Sequence, residues 1–269
     1  DFLSHLTIRF ERFDFDPLIP AFLAVKVTGH SSMDGSIDLQ GPLRRPSELT
    51  VTGNISQLAA NVENVKLQND GPIRFSMASQ IMRLEQLRLV GSDTDVAAHG
   101  EFHLEGRQPL DFRINGRLNM KLLQRLYPDT VSYGTATLAV HVSGPRTEPR
   151  MLGTVDIKDG GISVVDLPNG LSQINGRLIL NQERLQIEKL TAHTGGGVLD
   201  LAGFIDYKNN RYFDVTATSK DVRLRYPPGI SASADAALRY TGTQQSSFLS
   251  GDIRVIRFAV DPHFDFAQY

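Results

Sequence analysis

GTATLAVHVSGPRTEPRMLGTVDIK, residues 134–158, holds two runs of alternating apolar and polar side chains parted by a loop marked with glycine and proline. Leu138, Val140 and Val142 alternate with mostly polar residues as far as Gly144. A loop bounded by Pro145 and Pro149 follows, and Gly153 then opens a second run in which Val155 and Ile157 alternate with Thr154, Asp156 and Lys158. Successive side chains of a strand point to opposite faces, so each run has one apolar side and one wet side. The glycine and proline between them are the punctuation of a hairpin.

The same period runs outward in both directions. Ile37 and Leu39 alternate with Ser36, Asp38 and Gln40, and Phe102 and Leu104 with Glu101, His103 and Glu105. Phe112 with Ile114, Leu185 with Ile187, Leu199 with Leu201, and Ile253 with Val255 repeat the pattern. Helical signal is confined to residues 119–126, about two turns stopped by Pro128, and to a short turn in residues 16–23. Neither is long enough to carry a parallel crossover, so neighbouring strands are expected to pair antiparallel.

Composition sets the outer bounds. In 269 residues, 41% hydrophobic content is enough to bury a sizeable apolar surface. The 28 basic and 30 acidic residues are dispersed and leave a net charge of -2, so the basic stripe needed to bind nucleic acid is missing. No apolar run approaches the roughly 20 residues that span a bilayer as a helix. The absence of cysteine excludes disulfides and thiolate zinc sites. The chain opens at Asp1 on a strand-like run, Ile8 to Phe15, with no signal-peptide pattern, and reads as a segment of a longer protein.

Self-similarity is the most informative feature. Phe75 lines up with Leu178, Leu84-Glu85-Gln86-Leu87 with Ile187-Glu188-Lys189-Leu190, Gly100 with Gly203 and Asp111 with Asp214, all at one offset of 103 positions. Gly144 and Gly153 recur as Gly242 and Gly251 at an offset of 98, and Tyr127-Pro128 as Tyr226-Pro227 at 99. Gly41, Pro46 and Gly53 stand in an earlier copy where Gly144, Pro149 and Gly153 stand in the next. The expected organisation is the end of a preceding repeat in residues 1–28, repeat units in 29–126 and 127–225, and the start of a third in 226–269, built into one continuous sheet.

The unit from Gly134 to Ile157, with its strand ending in Gly144, its Pro145–Pro149 loop and its Gly153 restart, resembles the repeat of the TamB and AsmA-like family. Leu171-Ser172-Gln173-Ile174-Asn175-Gly176-Arg177-Leu178 and the run from Gly195 to Gly203 look like later strands of that repeat. The resemblance implies an all-β, elongated, mostly antiparallel sheet curled into an open taco-like trough with an apolar interior. It further implies a periplasmic location in a parent anchored in the bacterial inner membrane, phospholipid acyl chains as cargo moving between inner and outer membranes, and an outer-membrane barrel partner engaged through the parent. On that reading the groove lining is Ile37, Leu39, Phe102, Leu104, Phe112, Ile114, Leu138, Val140, Val142, Val155, Ile157, Leu199, Leu201, Ile253 and Val255. Alternation by itself leaves an open trough and a sealed sandwich or barrel both standing; one clean apolar side, few aromatics and no Trp suit the trough.

No catalytic group, metal site or cofactor is expected. His99 and His103 lie four apart in a strand, roughly 13 Å at about 3.3 Å per residue, too far to chelate one ion, and Gly100 occupies the place a metalloprotease glutamate would need. Gly195-Gly196-Gly197 runs into the strand Val198–Leu201 rather than the helix a phosphate loop requires, and reads as a turn. The acids Asp14, Asp16, Asp261 and Asp265 read as exposed groups at aromatic-rich strand ends rather than a glycosidase pair. Apolar stripes normally mean core, but repeated one-sided stripes build a continuous apolar surface, which usually marks a binding site. Three functions follow in order: a lipid conduit, a scaffold for outer-membrane barrel assembly or secretion that captures client strands by β-augmentation, and a carbohydrate-active or adhesive β-solenoid, which the lack of Trp platforms disfavours.

Overall fold

The computed structural model describes residues 4–16, 30–42, 44–104, 110–125, 129–165, 169–208, 211–225 and 229–261, with His30, Pro46 and Arg125 described by backbone alone. Sixteen strands account for most of them: β1 (Ser4–Phe13), β2 (His30–Gly41), β3 (Thr50–Val62), β4 (Val65–Asn69), β5 (Ile73–Ala78), β6 (Ile81–Gly91), β7 (Thr94–His103), β8 (Leu110–Asn119), β9 (Thr130–Gly144), β10 (Arg150–Val164), β11 (Leu171–Gln182), β12 (Arg184–Thr194), β13 (Gly197–Asp206), β14 (Phe213–Leu224), β15 (Ile230–Gly242) and β16 (Ser247–Val260). They belong to a single antiparallel sheet in which nearly every strand pairs with its neighbours in sequence. The exception is local. β4 and β5 share one position, both pairing with β3 on one side and β6 on the other. The chain divides into two compact units, Asp1–Tyr127 with Thr135–Gly153, and Pro128–Gly134 with Thr154–Tyr269.

Tight turns set the strand pairing. Gly195 and Gly196, with φ of 55° and 85°, make the two-residue turn between β12 and β13 that the sequence marks. Glu63-Asn64 and Ser79-Gln80 make the same kind of turn, all four with φ between 48° and 64°. This mirror-image turn matches the twist of the strands it joins and needs positive φ at both central residues. The second short helical signal in residues 16–23 lies outside the described residues beyond Asp16, as do Tyr127-Pro128 and Tyr226-Pro227. The helix expected over 119–126 is a 3-10 helix, Met120–Arg125. Asn119 fixes its start: its Oδ1 accepts from the Lys121 N–H at 3.0 Å, while its Nδ2 donates to the Ser92 carbonyl at 3.0 Å.

Bulges interrupt the period of two at regular places. The register shifts by one residue between Leu84 and Leu87 in β6 and between Ile187 and Leu190 in β12, the two runs that align in sequence. Shifts also fall between Phe10 and Phe13 in β1, between Ser172 and Asn175 in β11 and between Ser219 and Val222 in β14. The extra residue restores the apolar side chains beyond it to their original face, so a spacing of three between apolar residues is the mark of the bulge. In β1 and β14 the bulge residue has φ near 50°, Arg12 at 50° and Asp221 at 49°. The freed N–H is captured by the next strand. Arg12 donates to Asp34 Oδ1, and Asp221 donates to Asp235 Oδ1 at 3.0 Å. Bulges of this kind sharpen twist and bend a sheet.

Geometric counterparts accompany the sequence repeat. The loop after β2 closes with Arg45 N–H donating to Pro42 O at 2.9 Å, and the loop after β9 with Glu148 N–H donating to Pro145 O at 3.0 Å. Gly203 in β13 has φ +132°, and a Cβ there would sit 2.1 Å from the Asp214 carbonyl oxygen, so only glycine lets β14 approach.

Candidate functional site

The register assembles apolar side chains into rows that cross the strands. In the first unit one row runs Leu6, Leu39, Val51, Met77, Met82, Phe102, Leu110. A second runs Ile8, Ile37, Gly53, Phe75, Leu84, Gly100, Phe112, Val142. Leu87, Ala98, Ile114 and Val140 continue a third beyond the β6 bulge, and Gly116 faces Leu138. Glycines in these rows sit under aromatic rings: a Cβ on Gly53 would overlap the Phe75 ring, and one on Gly100 would lie 2.9 Å from Phe112 Cδ1. The rings cover the backbone that glycine leaves bare.

In the second unit the rows are Leu180, Leu185, Ile205, Phe213; Leu178, Ile187, Gly203, Val215, Tyr240, Leu249; and Leu190, Leu201, Ala217, Leu238. Ala192, Leu199, Ser219, Ala236 and Ile253 form the next, and Val222, Ala234 and Val255 another. Ile174, Leu190 and Ala192 are buried, with Ile157, Ile162, Leu171, Leu178, Ile187 and Leu201 packed against them. These come from four consecutive strands, β10 to β13, so their side chains crowd together on one side of the sheet. Val155 precedes Ile157 by two residues in β10 and shares its face.

The opposite face is charged. Arg88 bonds Asp95 at 2.9 Å and Asp70 at 2.8 Å, Arg83 bonds Glu101 at 3.2 Å, and Arg177 bonds Asp156 at 2.6 Å. Arg184 bonds Asp206 at 2.6 Å and Arg239 bonds Asp214 at 2.6 Å. The hydrogen bond from Arg88 holds the Asp95 carboxyl below the usual carboxylate range, and bonds from His103 and Arg83 do the same for Glu101. His103 and His99 lie on this face, where His103 Nε2 meets Glu101 Oε1 at 2.8 Å. Among the described residues no group of three or more potential ligands converges on a metal position, and no helix is long and apolar enough to cross a membrane. Asp14 accepts from the Asp16 N–H at 3.0 Å and Asp16 accepts from Ser31; Asp265 lies outside the described residues.

The apolar face thus brings together Ile37, Leu39, Phe102, Phe112, Ile114, Leu138, Val140 and Val142 in the first unit. It brings together Val155, Ile157, Leu199, Leu201, Ile253 and Val255 in the second. Leu104 differs. It lies past the end of β7 and is 54% exposed, because the chain leaves the ladder there after Leu104 N–H donates to Gln80 O. Alternation alone does not reach Met77, Met82, Phe75, Leu84, Leu178, Leu190 and Tyr240, which the register adds to the same face. For Leu84 and Leu190 the usable signal was the three-residue step at the bulge.

Leu6, Ile8 and Met82 remain 40–48% exposed and Ile253 and Val255 56–62% exposed, so the face is apolar without being sealed. Apolar contact of this kind carries no directional chemistry; what it offers a ligand is surface to be shielded from water, at roughly 25 cal/mol per Å². No curated protein and no solved structure matches the chain. Residues 85–257, more than half of the chain, match the family described as the TamB C-terminal domain. That domain is a periplasmic part of envelope proteins. Its family is non-enzymatic and works in assembly or transport. By this match the chain belongs to the TamB family, whose role lies in outer-membrane protein assembly or lipid transport.

Proposed function

We propose that the chain is a segment of a bridge that carries phospholipids between the inner and outer bacterial membranes, with acyl chains lying along the apolar face. The observation that carries this reading is the continuity of the rows: in each unit they pass from strand to strand without a charged side chain, while ion pairs occupy the other face. Within each unit such rows give a hydrocarbon chain an apolar path across the strands. Because the shielding is non-directional, a chain slides from row to row without breaking a specific bond. This reading takes the sheet of each unit to be an open trough, a shape that bulges favour because they bend a sheet. Repeat units at 29–126, 127–225 and 226–269 are read as successive copies of the same apolar surface, and the outer-membrane barrel partner as a contact of the parent protein.

A photo-activated cross-linker at Ile157, which packs on the apolar cluster, should capture lipid; one at Asp156, held by Arg177 on the other face, should not. Equal capture at the two positions, or no phospholipid on protein purified from native membranes, overturns the reading.

A further inference from the structure

Phe102 stands in a row of the apolar face, paired with Leu110, which in turn faces Gly144 at the end of β9. Beyond Gly144 the chain turns back on itself, and from that turn Arg146 reaches across β8 until its guanidinium carbon lies 5.9 Å from the centre of the Phe102 ring. The ring belongs to the apolar face, so the cation stands over that face and not over the charged one. It is exposed, and among the described residues no carboxylate pairs with it. Arg83, Arg88, Arg177 and Arg239, on the charged face, each hold an acid at 2.6–3.2 Å. At 5.9 Å the ring offers only weak compensation for the positive charge.

We propose that Arg146 binds the phosphodiester of a glycerophospholipid whose acyl chains lie on the apolar face beside Phe102. The proposal rests on the lipid-carrying reading above. Charge complementarity selects this occupant: a planar guanidinium matches two phosphate oxygens at once, and the apolar row beside it accepts the chains the same molecule carries. A phosphate without chains would leave the row unused, and chains without phosphate would leave Arg146 without an anion. The site therefore fixes where along the strands the headgroup sits, at the Gly144 end, with the chains directed toward Leu118 and Ala136, which follow it in β8 and β9.

The test is native mass spectrometry of the full chain, titrated in detergent micelles with dioleoyl-phosphatidylglycerol, with dioleoylglycerol, and with inorganic phosphate alone. Wild type should retain the phospholipid about tenfold or more better than dioleoylglycerol, the range of one hydrogen-bonded charge pair. Arg146→Gln should erase that ratio while leaving dioleoylglycerol retention and the melting temperature unchanged. Arg83→Gln, on the charged face, should keep the ratio. If Arg146→Gln keeps the ratio, the headgroup site is overturned and the apolar path stands. If wild type retains neither lipid, the path fails and the site with it. Inorganic phosphate bound as well as the phospholipid, and lost in Arg146→Gln, would reassign the residue to a free anion and overturn the proposal.

Discussion

Arg239 grips Asp214 with two prongs, Nε to Oδ1 at 2.8 Å and Nη2 to Oδ2 at 2.6 Å, tying β15 to β14 on the face opposite Leu238 and Val215. The hydrogen bond, and then the charge, of Arg239 hold the Asp214 carboxyl below its ordinary range, against the opposing effect of burial. Since the folded value is depressed, the contribution to stability is complete above the ordinary aspartate range near 4 and is lost as pH falls through the depressed value. Asp214→Asn should therefore melt slightly below wild type at neutral pH, and the gap should close as acid is added. The effect is small because the pair is on the surface. Thermal melts of both proteins from pH 7 downward check it; a gap that widens in acid contradicts the assignment.

Gly203 and Gly196 separate two demands made on glycine. Gly203→Ala meets both a φ of +132° and a backbone oxygen 2.1 Å from the new Cβ, and should cost about 1–3 kcal/mol or more. Gly196→Ala has φ +85° but nothing within 4 Å, and should cost about 1 kcal/mol, the penalty of the left-handed region alone. Urea unfolding should rank them in that order.

Asn119 is 7% exposed and serves Ser92 O and the Lys121 N–H at once, while its own N–H donates to Thr94 Oγ1 at 3.2 Å. Asn119→Ala leaves a carbonyl and an amide without these partners and should destabilise by about 1–3 kcal/mol. Amide exchange should show the loss first at Lys121, where the 3-10 helix begins.

Leu199 sits in a row between Ala192 and Ser219. Leu199→Arg places a charge in the path of the acyl chains, where a charged group in hydrocarbon costs about 2.5–3.5 kcal/mol. On an unsealed face the guanidinium bends out to water, so the protein should still fold, and lipid transfer should stop. Thr154→Arg, on the face of Asp156, should transfer lipid normally. Transfer by the Leu199 variant at the wild-type rate contradicts the path; failure to fold points to a sealed core, in which the buried charge would have no partner.

The strands and their apolar side were legible because period two is written directly into runs such as Val155-Asp156-Ile157 and Leu199-Asp200-Leu201. The bulges were written too, as three-residue steps at Leu84 to Leu87 and Ile187 to Leu190, but a reader committed to strict alternation sees there a broken pattern instead of a shifted one. Ser79-Gln80 turns a hairpin without the glycine or asparagine that advertises one, so β5 and β6 have no visible boundary in sequence. Arg146 over Phe102 was beyond reach altogether. The contact depends on β7, β8 and β9 lying side by side, a relation among distant segments that no local pattern encodes.

Strand order that follows chain order has a consequence for how the molecule comes into being. Apart from the β4 and β5 position, each strand finds its partners immediately before and after itself, so none must wait for a remote segment to arrive. Such a chain can zip up vectorially from whichever end is released first, each hairpin templating the next. The leading portion is then already native while the trailing portion is still extended, and the growing front, one strand wide, is a moving backbone edge that invites misassembly until the next strand covers it.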